Sequence, residues 1–73
     1  MKNIEFKLRQ EDEFIKLGQL LKACNIVGSG VESKVRILNG DVRVNGIEER
    51  LRGKKIRTGD EVEIDDVIIN IIK

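Results

Sequence analysis

Val42-Arg43-Val44-Asn45-Gly46-Ile47 is the stretch from which the fold is read. Val42 and Val44 flank a charged residue, the two-residue period of a strand with one face buried. Asn45-Gly46 follows at once. Both residue types tolerate the positive φ that a tight two-residue turn demands, so the stretch predicts a hairpin. The same alternation recurs downstream in Glu61-Val62-Glu63-Ile64-Asp65, entered through the turn signal Gly59-Asp60. Asp65-Asp66 then turns the chain into residues 67–72, a short strand rich in β-branched residues. That strand belongs either to the core or to an edge free to pair with another chain. Upstream, Ile4-Glu5-Phe6-Lys7-Leu8 alternates as well, with Ile4, Phe6 and Leu8 predicted to face inward.

Between these strands the period changes. Residues 14–25 predict an amphipathic helix in which Leu17, Leu20, Leu21 and Cys24 form one stripe. Cys24 is expected there as a small core residue. Gly28-Ser29-Gly30 breaks the chain, and Ser29 with Glu32 has the spacing of a capping box opening a second, short helix. Val31, Val35 and Leu38 form its apolar stripe. Ile37 lies roughly 100° off that stripe at 3.6 residues per turn, so the helix is apolar over a wide arc or contacted on two sides. Asn39-Gly40 ends it. The sum is one α+β domain over residues 1–73, with two short helices packed on a small, mostly antiparallel twisted sheet.

Composition narrows the function. A chain of 73 residues buries only about 60% of its unfolded surface, which leaves little depth for a dry catalytic pocket. There is no histidine, so Ser29, Ser33, Thr58 and Cys24 have no imidazole to activate them, and no enzyme is expected. One cysteine makes neither an internal disulfide nor a thiolate metal site. Asp65-Asp66 has the chemistry to meet a hard cation but reads first as a turn. No cofactor or metal is expected. No segment is apolar enough to span a membrane, and the charged N-terminal residues do not resemble a signal peptide, so a cytoplasmic location is expected. Phe6 and Phe14 are the only aromatics, which disfavours recognition of single strands by base stacking.

Charge is distributed unevenly. Net charge is +1, but residues 34–57 carry eight basic against three acidic side chains, and residues 58–73 carry one against five. The densest cluster is Arg50-Leu51-Arg52-Gly53-Lys54-Lys55. Four cations so close repel one another unless an anion sits among them, and arginine's planar fork matches phosphate oxygens in pairs. Gly53 admits a close backbone approach. Lys34 and Arg36 lie early in the second helix, whose N-terminus at Ser29 and Gly30 suits an anion as well as a plain cap. Arg43, beside the hairpin turn, extends the candidate basic surface.

These residues carry a resemblance. Ser29, Glu32, Lys34 and Ile37, followed by Gly40-Asp41-Val42-Arg43-Val44-Asn45-Gly46 and then Gly59-Asp60-Glu61-Val62, resemble the S4 RNA-binding domain, also called the alpha-L RNA-binding motif. The resemblance covers about residues 14–64. Leu17-Gly18-Gln19, Ser29-Gly30 and the Arg52-Gly53-Lys54-Lys55 run are most similar to the small stand-alone bacterial members. The family binds folded RNA, often ribosomal RNA, through its two helices and the following hairpin. The resemblance implies contacts from Lys16, Ser29 and Lys34, with the basic run on the same surface. It also implies that Ser33 and Ile37 point inward. The sequence departs from the pattern at Lys16-Leu17-Gly18, where Arg-Leu-Asp is usual, at Gly30, where Arg is common, and at Ser33, where Ala is usual. The expected function is non-enzymatic binding of structured RNA. The alternative is a ribosome-associated adaptor whose basic face meets an acidic protein.

Overall fold

In the computed structural model, which describes every residue from Met1 to Lys73, the terminal strand is interior rather than an open edge. β7 (Val67–Ile72) pairs in parallel with β1 (Lys2–Lys7) on one side and antiparallel with β6 (Glu61–Ile64) on the other. β3 (Val42–Val44) continues the sheet beside β6, and β4 (Ile47–Glu48) closes it, in the order β1-β7-β6-β3-β4. All pairings but the first are antiparallel. The Asn45-Gly46 hairpin forms as expected, with φ of 53° and 83° at its two residues.

One face of this sheet is dry. Val42, Val44, Val62, Ile64, Ile69 and Ile71 alternate inward and are buried. They meet Leu17, Leu20 and Leu21 of α1 (Leu17–Ala23) and Ile37 of α2 (Gly30–Leu38), all fully buried. Each such side chain stabilises the fold by about 1.5–3 kcal/mol relative to exposure. The opposite face carries Asn3, Glu5, Lys7, Arg43, Glu61 and Glu63 and stays largely wet.

Both helices end in the same way. A left-handed residue follows each, Asn25 with φ 58° after α1 and Gly40 with φ 80° after α2. The amides of Ile26 and Asp41 reach back to the carbonyls of Leu21 and Arg36, closing Schellman motifs.

Two expectations are corrected. The first helix begins at Leu17, not near Phe14, because Ile15–Lys16 forms a strand, β2, paired with β5 (Lys55–Ile56). Cys24 accordingly sits at the helix end and is half-buried. The stripe of the second helix is turned the other way. Val31, Val35 and Leu38 are exposed, at 74, 48 and 53%, while Ser33 and Ile37 are buried, as the resemblance implied. The reason is packing against α1. The Ser33 hydroxyl donates to the Gly18 carbonyl at 3.0 Å, and a Cβ at Gly18 would fall 3.3 Å from Ser33 Oγ, so the two helices meet closely through small residues there.

Candidate nucleic-acid interface

The basic segment is tied down by backbone bonds. α1 has no side-chain cap, because its N-cap residue is Lys16. The Leu17 amide instead donates to the Lys54 carbonyl at 2.9 Å, and the Gly18 amide to the Arg52 carbonyl at 3.0 Å. The segment therefore serves as the cap of α1, satisfying amides that would otherwise be orphaned. Its other end is held by the β2–β5 ribbon, which sets Lys16 opposite Lys55.

Like charges directly opposite in a ribbon destabilise it. No carboxylate relieves this pair. The ion pairs of the molecule involve only Arg9, Arg36 and Arg50, so Lys16, Lys34, Arg52, Lys54 and Lys55 are exposed and unpaired. Arg52 lies across Gly18. A Cβ at Gly18 would fall 2.7 Å from Arg52 Cγ and 3.3 Å from Ser33 Oγ. Lys16, Gly18, Gln19, Arg52 and Gly53 together line an open depression of about 280 Å³. An anion placed there would meet two cations and, at the glycines, bare backbone.

α2 brings a second element near this group through the Ser33–Gly18 bond. Ser29 is its N-cap, accepting from the Glu32 amide at 3.1 Å. Glu32 reaches back to the Gly28 amide at 2.9 Å, one residue before the position a capping box normally uses. The amides of Gly30 and Val31 have no partner within the chain. Glu32 in the first turn offsets part of the helix end's attraction for anions.

The remaining candidates lie differently. Arg50 is exposed but its Nε is 2.8 Å from Glu48 Oε2. Arg36 donates to Asp41 at 2.7 Å and to Asp65 at 2.6 Å, tying the end of α2 to the β6–β7 turn. Its pKa is raised, first by the hydrogen bond to Asp41 and then by that to Asp65. Arg43 sits on the wet face of the sheet, with Glu48 and Glu63 opposite it on the neighbouring strands. The structure thus gathers Lys16, Arg52, Lys54 and Lys55 around the start of α1, with Ser29, Gly30 and Lys34 on the adjoining helix. Arg36 is ion-paired and stands apart from that group, and Arg43, though in no ion pair, lies on the wet face of the sheet.

Two residues outside the candidate set join it. Lys55 Nζ and Arg57 Cζ lie 5.0 and 5.6 Å from the centroid of the Phe14 ring. Nothing in local periodicity points to this, since it depends on the β2–β5 register. Cys24 shows no sign of reactivity, because burial pushes its thiol pKa up. Asp65 is engaged by Arg36, and no group of three or more His, Cys, Asp or Glu residues is placed to hold a metal ion. No helix is long and apolar enough to cross a membrane.

Comparison with known proteins agrees with this architecture. The profile of the S4 domain matches residues 6–72. The probable ribosome maturation protein RlbA of Bacillus subtilis (strain 168) is 38% identical over 55 residues, covering 75% of this chain and 78% of that protein. With a match spanning nearly the whole chain and a relative of similar extent, the chain belongs to the S4 domain family.

Proposed function

We propose that this protein binds structured RNA in the bacterial cytoplasm, ribosomal RNA in particular, and performs no chemistry of its own. The observation that carries the reading is the set of exposed, unpaired cations, Lys16, Arg52, Lys54 and Lys55, held by backbone bonds around the start of α1. A cluster anchored in this way loses little conformational freedom when it meets phosphate. Ser29, Gly30 and Lys34 extend the surface along α2, and Arg50 lies at its margin. Family membership supports RNA as the source of the phosphates, and the relative's name supports a ribosomal context. With two aromatics in the chain, recognition rests on the shape and phosphate geometry of a folded RNA rather than on stacked bases.

The test is replacement of Arg50, Arg52, Lys54 and Lys55 together by Glu, with binding to deproteinised ribosomal RNA as the readout. Binding is expected to vanish while the circular dichroism spectrum persists. Affinity retained within about twofold, or 0.4 kcal/mol, would show that the surface has been misassigned.

One observation favours a second reading. The exposed Val31, Val35 and Leu38 line one side of α2, a pattern suited to a protein contact. On that reading the domain is an adaptor within a ribosomal particle. Nuclease treatment separates the two, since an RNA-bound domain is released and an adaptor stays attached.

A further inference from the structure

The β2–β5 ribbon has two faces. Ile15 and Ile56 pair on the inner one, where Ile56 is fully buried. The outer face carries Lys16 opposite Lys55. Continuing the register by one residue sets Phe14 opposite Arg57, and the Arg57 guanidinium carbon is indeed 5.6 Å from the Phe14 ring centroid. Lys55, diagonal to Phe14 across the ribbon, brings its ammonium to 5.0 Å. Three cations and one aromatic ring therefore occupy one side of a very short ribbon.

No carboxylate neutralises this face. Asp60 is the carboxylate nearest Arg57 in sequence, yet each of its oxygens is engaged elsewhere. One accepts from the Arg57 amide at 2.7 Å and the other from Asn45 Nδ2 at 3.1 Å. That arrangement fixes the Arg57 backbone and leaves its guanidinium without an ion pair. The half-buried ring supplies what a carboxylate would otherwise supply, a negative surface against which a cation rests. Unlike a carboxylate, it does not cancel the charge. The cations stay available to a ligand while their side chains are held in place.

We propose that the outer face of the β2–β5 ribbon is a second phosphodiester-binding subsite, in which Arg57 contacts the RNA backbone and Phe14 is a positioning residue for Arg57 and Lys55. The subsite adjoins a depression of about 370 Å³ lined by Lys54, Lys55 and Arg57, by Asn45 and Ile47 of the hairpin, and by two carboxylates, Glu49 and Asp60, that accept from the Leu51 and Arg57 amides. A phosphate chain leaving the start of α1 through Lys16 would meet Lys55 next and Arg57 after it. This inference rests on the RNA-binding reading above.

The experiment measures affinity of the whole protein for deproteinised ribosomal RNA across a series of KCl concentrations, for wild type, Arg57→Gln, Phe14→Leu and Phe14→Trp. Arg57→Gln should lower the slope of log affinity against log salt by about 0.7–0.9, the loss of one phosphate contact. Phe14→Leu should weaken binding roughly three- to tenfold with the slope nearly unchanged, because the charges remain but are no longer held. Phe14→Trp, which keeps the ring, should restore affinity. A purely structural Phe14 would lower the melting temperature and would not separate affinity from slope. If wild type fails to bind RNA, the RNA reading and the subsite fall together. If wild type binds and Arg57→Gln keeps the wild-type slope, the subsite alone is wrong. Should Phe14→Leu unfold, the Arg57→Gln slope and the Phe14→Trp affinity still decide the matter.

Discussion

Asn45 and Asp60, fifteen positions apart, hold each other across two turns, with Asn45 Nδ2 donating to Asp60 Oδ1 at 3.1 Å. The Asn45 side-chain oxygen also accepts from the Glu61 amide at 2.9 Å, and the Asn45 amide donates to the Glu61 carbonyl at 2.7 Å. The Val-x-Val-Asn-Gly and Gly-Asp segments are therefore two halves of one clasp. Their separation in sequence is the length of chain that leaves the hairpin, caps α1, forms β5 and returns. Asp60→Ala should cost about 1–3 kcal/mol of stability, since it strands both the Arg57 amide and Asn45. Asn45→Gly tolerates the positive φ and isolates the side-chain loss. In urea titrations the double variant should be less destabilised than the sum of the singles by about 0.5 kcal/mol or more. Strict additivity would mean that the clasp is not a unit.

Gly18→Ala should separate binding from folding. The new methyl meets the flexible Arg52 side chain first, and Arg52 can swing away. Alanine also favours the helix over glycine, by up to about 1 kcal/mol at interior positions and by less in the first turn where Gly18 lies, which offsets part of the tighter contact with Ser33 Oγ. Stability is expected within about 1 kcal/mol of wild type, while RNA affinity falls because Arg52 no longer lies over the start of α1. Thermal melts together with RNA titrations test this, and an unaltered affinity would remove Arg52 from the site.

The direction in which α2 faces is testable by a pair of truncations. Ile37→Ala should cost about 2–5 kcal/mol, the range for a fully buried aliphatic residue. Val35→Ala, at an exposed helical position, should change stability by no more than about 0.5 kcal/mol. Chemical denaturation of the two variants suffices, and a reversed order would restore the stripe that periodicity alone suggests.

Arg36 is expected to matter for stability and not for binding. Arg36→Gln breaks two partly exposed ion pairs, for a loss of about 1 kcal/mol that shrinks as salt is raised. RNA affinity should remain at the wild-type value. A fall in affinity comparable to that of an Arg52 variant would instead place Arg36 among the contacts.

Much of this was legible in the sequence, and the exceptions share a cause. β1, β3, β6, β7 and the Asn45-Gly46 turn were readable because alternation and turn chemistry are local. The start of α1 was not. Phe14 and Ile15 look helical until Lys55 and Ile56 arrive to pair with β2, and that pairing spans some forty positions. The buried face of α2 was likewise hidden. Val31, Val35 and Leu38 outweigh Ser33 and Ile37 in hydrophobicity, yet the close approach to Gly18 selects the side with the small residue. At the site, the basic run was evident from composition, whereas its role as the cap of α1 is made by carbonyl groups, which sequence does not distinguish. The ion pairs of Arg36 and the Phe14 ring beneath Arg57 depend on register in the same way.

The parallel pairing of β1 with β7 sets Lys2 against Val67 and Lys7 against Ile72. Every other strand pair in the sheet joins segments much closer along the chain. Closing so large a loop is entropically costly before any contact rewards it, and non-local pairing of this kind slows folding. β1 should therefore dock after the helices and the β3–β4 hairpin have formed, and should be the first strand to detach. The phosphate-binding surface, built from α1, α2 and the β2–β5 ribbon, lies outside that pairing. Hydrogen exchange should accordingly find the amides bonded across the β1–β7 pairing opening first while those of Leu17 and Gly18 stay protected, so the domain can loosen at its seam without releasing what it holds.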